Sequence, residues 1–255
     1  MAHALTISPT MLRVEALRQL RNPYTLAFTL AMPVGMYALF GAGASYGAMP
    51  AGHGNVRFYV MVSMAAYGAA VAMTSTTSNA AVEAAQGWGR QLAMTPLRTA
   101  GYAVTKLITA MAGAALAVGL VFIVGAATGA QAADGWRWAA SAGLILGGAL
   151  LFGLYGLGMG LVFRSDGAAT LASISLTFFG FFGNVFMPLD GVMLDIARFT
   201  PMYGVVALAR WPLTDGVLTT GQIDPPWAVA LNIVVWSVVF GALVAWGVKR
   251  ARARR

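Results

Sequence analysis

The chain has 255 residues, 59% of them hydrophobic and 9% charged, with a formal net charge of +8 and no cysteine. A water-soluble domain carries about a quarter of its residues as Asp, Glu, Lys or Arg, so this composition excludes a soluble fold and points to a membrane protein. The missing cysteines exclude disulfides, zinc thiolates, iron–sulfur clusters and thiol chemistry, and the positive charge gathers beside apolar runs and in the last seven residues, which reads as membrane topology rather than nucleic-acid binding.

Residues 8–22, SPTMLRVEALRQLRN, predict a short amphipathic helix. Ser8 is placed to cap it with Pro9 at its first position, and Leu12, Ala16, Leu17 and Leu20 share one side while Arg13, Arg18 and Arg21 lie elsewhere. Such a helix lies along the membrane interface. Beyond it, the intervals free of charge map what can span, because a charge at the bilayer centre costs about 2.5 to 3.5 kcal/mol on insertion scales. Six intervals exceed the roughly 20 residues an apolar crossing helix needs. They place spans at 24–42, 58–79, 105–127, 138–162, 168–186 and 227–247 of an all-α integral membrane fold with a single transmembrane domain. Lys106 falls just inside the third span, where its long stem is expected to reach the headgroups.

Two connections are more than loops. Residues 81–98 between spans two and three carry Glu83, Arg90 and Arg98, and Pro96 ends a polar helix longer than neighbouring spans require. Residues 187–210 between spans five and six hold two short amphipathic stretches separated by Pro201, each too short to cross, which predicts a re-entrant helical hairpin. Orientation follows from the basic residues. With the amino terminus inside, twelve Lys and Arg face the cytosol with three acidic residues, whereas four Arg lie outside with five Asp. The positive-inside rule therefore puts both termini in the cytosol.

Chemical motifs are sparse. Neither lysine follows the Gly-x-x-x-x-Gly spacing of a P-loop, since Lys106 precedes Leu107 and Lys249 precedes Arg250, so no nucleotide site is expected in this chain. Gly43-Ala44-Ser45-Tyr46-Gly47 matches the nucleophile-elbow pattern, and His53 is the one histidine on its side of the membrane, so an intramembrane serine hydrolase is a rival from another class. A proton-coupled carrier is a second rival, opposed by the lack of charges within the spans. Metal-ligand spacing and a catalytic constellation are both absent from the sequence. Gly143-x-x-x-Gly147 and Gly156-x-x-x-Gly160 in span four permit close helix packing.

The order of basic amphipathic helix, two spans, cytosolic helix, three spans, outer hairpin and last span resembles the ABC-2 type permeases, membrane subunits of bacterial ATP-driven exporters that include daunorubicin-resistance and related drug-export permeases. The matching pieces are Arg18-x-x-Arg21-Asn22-Pro23 leading to Pro33, Glu83 with Gly89-Arg90-Gln91-Leu92 and Thr95-Pro96-Leu97, and Phe186-Met187-Pro188 with Phe199-Thr200-Pro201-Met202-Tyr203. The resemblance implies a bacterial cytoplasmic (inner) membrane location, a homodimer among membrane lipids, and a separate ABC ATPase subunit that binds ATP and Mg, with no cofactor on this chain. It makes 81–98 a coupling helix and assigns the ATPase-facing contacts to Arg13, Arg18, Arg21, Glu83, Gln86, Arg90, Leu92, Thr95 and Pro96. A substrate pathway along spans two and five would use Thr74, Thr77, Asn79, Ser173, Thr177, Phe178, Phe181, Phe182 and Asn184. That apolar, hydroxyl-bearing lining suits export of an amphipathic drug, lipid or natural product, with polysaccharide or glycolipid export as the alternative within the family.

Overall fold

The computed structural model describes residues 9–21, 27–84, 86, 99–165 and 167–252. Pro9 opens the first helix, α1 (Pro9–Arg21), its fixed backbone angle suiting a first helical turn. The segment of the first predicted span is α2 (Met32–Tyr37) between wider π-helical turns, Ala27–Ala31 and Ala38–Ala42. Pro33 is the local cause on the first side, since it lacks an N–H and its ring crowds the carbonyl four residues back. The long helices follow: α3 (Val56–Glu83), α4 (Thr99–Ala127), α5 (Gly135–Phe163), α6 (Gly167–Phe182) and, last, α9 (Pro226–Arg252). Between α6 and α9 lie α7 (Gly191–Ala197) and α8 (Pro201–Thr214).

Four of these, α3, α4, α5 and α9, are long and apolar enough to cross a membrane. They coincide with the predicted spans 58–79, 105–127, 138–162 and 227–247. At the predicted spans 24–42 and 168–186 the apolar helices are shorter, residues 29–42 and α6. Asn184, placed by the sequence inside the fifth span, instead lies beyond the end of α6 at a φ of 59°. The pair α7 and α8 also meets the length and apolarity of a span, but its halves meet at 95° across the break at 198–200.

The core forms around α3. Inside the fold, 83% of its most apolar stretch is buried, against 11% for α9, so α3 is the axle and α9 the rim. Small side chains make this possible, with Ala65, Ala66, Gly68, Ala69, Ala70 and Ala72 letting α2, α4, α5, α6 and α8 approach one helix. On α5, a Cβ at Gly156 would sit 2.3 Å from the Thr74 carbonyl oxygen and one at Gly160 would sit 2.4 Å from that of Ser78. By contrast, nothing lies within 4 Å of a Cβ at Gly143 or Gly147, so only one of the two glycine pairs is used inside the chain. Hydroxyls buried on α3 bond back to their own helix, Ser63 to the Tyr59 carbonyl at 2.6 Å and Thr77 to that of Met73 at 2.8 Å.

Where backbone leaves helical form, side chains take over its hydrogen bonds, as an apolar solvent demands. Asn55, which ends a two-residue ribbon of β1 (Pro50–Ala51) and β2 (Gly54–Asn55), accepts from Phe58 N and Gln131 N, each at 3.0 Å, and donates to the Gly129 carbonyl at 2.8 Å. At the α7–α8 break, Asn232 of α9 donates to the carbonyls of Arg198 and Thr200 at 2.7 and 3.0 Å, and Trp236 donates to that of Phe199 at 2.9 Å.

Gly156→Ala and Gly160→Ala should each cost about 1 to 3 kcal/mol by forcing α3 from α5, whereas Gly143→Ala should cost nothing. Thermal unfolding of the detergent-solubilised protein checks this, and equal losses at all three positions would contradict the packing.

Candidate coupling site

The chain has two glutamates, Glu15 and Glu83, and the fold brings both to one place. Glu15 and Arg18 lie one turn apart on α1, Glu83 is the last residue of α3, and Tyr102 and Lys106 lie one turn apart on α4, so three elements converge. Arg18 Nη2 donates to Glu83 Oε1 at 2.6 Å. Lys106 Nζ donates to Glu83 Oε2 at 2.7 Å and pairs with Glu15 Oε1 at 2.8 Å. A contact of 3.3 Å between Arg18 Nη2 and Glu15 Oε2 closes the ring, in which two cations alternate with two carboxylates. Tyr102 adds its hydroxyl to Glu83 Oε2 at 2.9 Å and sets its ring 5.4 Å from Lys106 Nζ.

Burial decides what this ring is worth. The Lys106 side chain is 4% exposed, so its stem does not reach toward the headgroups as the sequence suggests. Two carboxylates lie within hydrogen-bond reach of its ammonium, and a buried cation held by both is neutralised in place. Arg18 is the wet member, with a side chain 54% exposed. Burial alone would lower its pKa, but the Glu83 hydrogen bond and the Glu83 and Glu15 charges outweigh that and raise it. The guanidinium therefore stays charged throughout the physiological range.

The ring brackets the segment predicted to couple. Glu83 lies at its start, within residues 81–98, and Tyr102 follows it within a turn of α4. Of the other residues assigned to the ATPase-facing contacts, Arg13, Arg21 and Gln86 are exposed, while Arg90, Leu92, Thr95 and Pro96 lie outside the described residues. On α1, Ala16 and Leu17 of the expected apolar stripe are exposed and Leu12 is half-buried, while Glu15 is turned into the fold; the Leu20 side chain lies outside the described residues. Sequence reasoning passed over Glu15 and Tyr102; the available signals were the three-residue spacing of Glu15 and Arg18 and the four-residue spacing of Tyr102 and Lys106.

The residues assigned to the substrate pathway divide into two groups. Thr74 and Thr77 are buried against α5, with Thr74 Oγ1 donating to the Phe152 carbonyl at 3.3 Å. Asn184 is buried too, its Oδ1 accepting from Leu189 N at 3.0 Å. Phe178, Phe181, Phe182 and Asn79 are exposed. Ser173 and Thr177 are half-buried on α6 and bond to its own carbonyls, Ser173 to that of Ala169 at 2.9 Å and Thr177 to that of Ser173 at 3.1 Å; Thr177 also meets the Tyr67 hydroxyl at 3.1 Å. His53 bonds Asp215 Oδ2 at 2.5 Å, and no hydrogen bond joins it to Ser45 among the described residues, so the paired geometry a serine nucleophile needs is not formed.

Glu83→Ala should destabilise the protein by about 3 kcal/mol, because Lys106 would keep only one carboxylate in a buried place. Arg18→Ala, which removes a largely solvated partner, should cost about 1 kcal/mol or less. Unfolding in detergent measures both, and the reverse order would contradict a ring anchored on the buried lysine.

Residues 9–211 match the ABC-2 type transporter family. Over 230 residues the chain is 26% identical to a Bacillus subtilis (strain 168) protein named "Putative transport permease YvfS", covering 89% of this chain and 90% of that one. The chain belongs to the ABC-2 type transporter family, and is a multi-pass membrane protein and a transport subunit rather than an enzyme.

Proposed function

Taking membership of the ABC-2 type transporter family as the premise, we propose that this chain is the membrane half of an ATP-driven exporter in a bacterial cytoplasmic membrane. Two copies pair, both termini face the cytosol, and ATP with Mg is bound and hydrolysed by a separate ABC ATPase. In this reading residues 29–42 and α6 complete six crossings, with α6 extended by the turn at 183–186, because 16 helical residues reach only about 24 Å of a roughly 30 Å hydrocarbon layer. The bent pair α7–α8 then dips into the outer leaflet.

The observation that carries this reading is the ring of Glu15, Arg18, Glu83 and Lys106. A coupling segment held at both ends by one neutral, partly buried cluster cannot be displaced without moving α1, α3 and α4 together. Closure of the ATPases pushes on residues 81–98, with α1 on the other side of the same contact, and the ring passes that displacement into the axle α3. Cargo follows the outward face of α6, where Phe178, Phe181 and Phe182 are exposed, together with Asn79. Thr74 and Thr77 face α5, so cargo meets them only when α3 and α5 part. That lining favours an amphipathic drug, lipid or natural product over a polar polymer.

The test is co-purification with an ATPase chain that carries a P-loop, followed by reconstitution in liposomes. Permease-stimulated ATP hydrolysis should fall about fivefold or more in Lys106→Met, a loss of the size typical of site-to-site coupling, while the two chains still co-purify. Undiminished stimulation would remove the ring from the coupling path. A photoreactive amphipathic probe should label Phe178 or Phe181, and labelling confined to α9 would reject the proposed cargo face.

A further inference from the structure

The other end of α3 holds a buried cation of a different kind. Arg210 of α8 is 5% exposed. Its Nε and Nη2 donate to Ser63 Oγ at 2.9 and 2.6 Å, Nη2 reaches the Val185 carbonyl at 3.5 Å, and its guanidinium carbon lies 3.9 Å from the centre of the Tyr59 ring. Among the described residues no carboxylate forms an ion pair with it. Serine, carbonyl and ring face all stabilise a guanidinium, yet none of them cancels its charge.

Arg210 borders a partly open cavity with room for water or a small ion. Tyr59, Asn184, Tyr203, Trp211 and Asp224 also line it. The acceptors there are already engaged. Asp224 Oδ1 accepts from Arg198 Nε at 3.1 Å, its Oδ2 accepts from the Tyr203 hydroxyl, and Asn184 Oδ1 is taken by Leu189 N. The donors are not engaged, since Arg210 Nη1, the Asn184 amide, the Trp211 indole N–H and the Tyr59 hydroxyl have no hydrogen-bond partner among the described residues. Arg198 is shared between Asp224 and Asp195, whereas Arg210 has no ion-pair partner among the described residues, so its own charge is left unpaired beside a surplus of donors. Water would satisfy the donors and leave the charge, whereas a small anion would answer both.

We propose that Arg210, Asn184, Tyr59 and Trp211 bind one small inorganic anion, chloride, between α8 and α3. The anion neutralises the guanidinium, and so lets the bent pair α7–α8 seat against the axle. This site does not depend on the coupling reading.

The experiment uses the full chain purified in a maltoside detergent, free of phosphate, with gluconate exchanged for chloride at constant ionic strength. Radiolabelled chloride should bind saturably at about one ion per chain, and the unfolding temperature should rise with chloride. Asn184→Asp supplies a carboxylate beside the cation without removing the buried arginine; it should abolish binding and make the unfolding temperature independent of chloride. Trp211→Phe should weaken binding about tenfold, the loss expected for one hydrogen bond to a charged partner. Absence of saturable binding in the wild type, or unchanged binding in Asn184→Asp, would overturn the proposal. Displacement of chloride by phosphatidylglycerol would also overturn it, assigning the cavity to a lipid headgroup.

Discussion

A lysine at the edge of a hydrocarbon layer has two outlets: stretch to water or find a carboxylate. Lys106 has found two, and the way α1, α3 and α4 meet follows from that. A single buried ion pair often contributes little, because desolvation of both groups offsets their attraction. A closed ring differs in that each charge has opposite charges on both sides, and Tyr102 fills a further acceptor position on Glu83. The ring's least exposed members, Lys106 and the two carboxylates, join α1 to α3 and α4.

The same helix carries that constraint to the opposite end. Ser63 and Glu83 are 20 residues apart on α3, about 30 Å of helix. At one end the charges are balanced within the chain; at the other Arg210 meets Ser63 and an aromatic face without a carboxylate. Between them, small residues and the Gly156 and Gly160 contacts set α3 against α5 nearly backbone to backbone. Helices packed through alanine and glycine present little interlocking relief. On the proposed coupling, a displacement introduced at Glu83 would travel along α3, whose far end supports α8 and with it the break that Asn232 and Trp236 hold from α9.

What the sequence disclosed and what it withheld divide along a physical line. Hydrocarbon thickness imposes a length and a ban on charge, both readable along one dimension, and α3, α4, α5 and α9 stand where the charge-free intervals put them. Pro33 and Asn184 interrupt the two shorter apolar segments, and their effect depends on local backbone geometry that hydropathy does not record. Two glycine pairs of identical spacing sit on α5, but only a facing helix distinguishes the pair that packs from the pair that does not. The ring was the least legible element. Lys106 is 23 residues from Glu83 and Glu15 lies on a separate helix, so no periodicity joins them. Arg210 was hidden for a related reason: the sequence puts it at the end of the predicted hairpin, and only the packing of α8 on α3 brings it to Ser63.

The central claim is that motion at the ATPase-facing end reaches the bent pair through the ring and α3. Because the chain has no cysteine, spin labels can be placed without altering a background. Labels at exposed Val14 on α1 and exposed Ile196 on α7 can report their separation by pulsed electron resonance in the permease–ATPase complex, with and without trapped nucleotide. The account requires a nucleotide-dependent change in that distance that is lost in Lys106→Met. A change of the same size in Lys106→Met would show that the ring does not carry the motion.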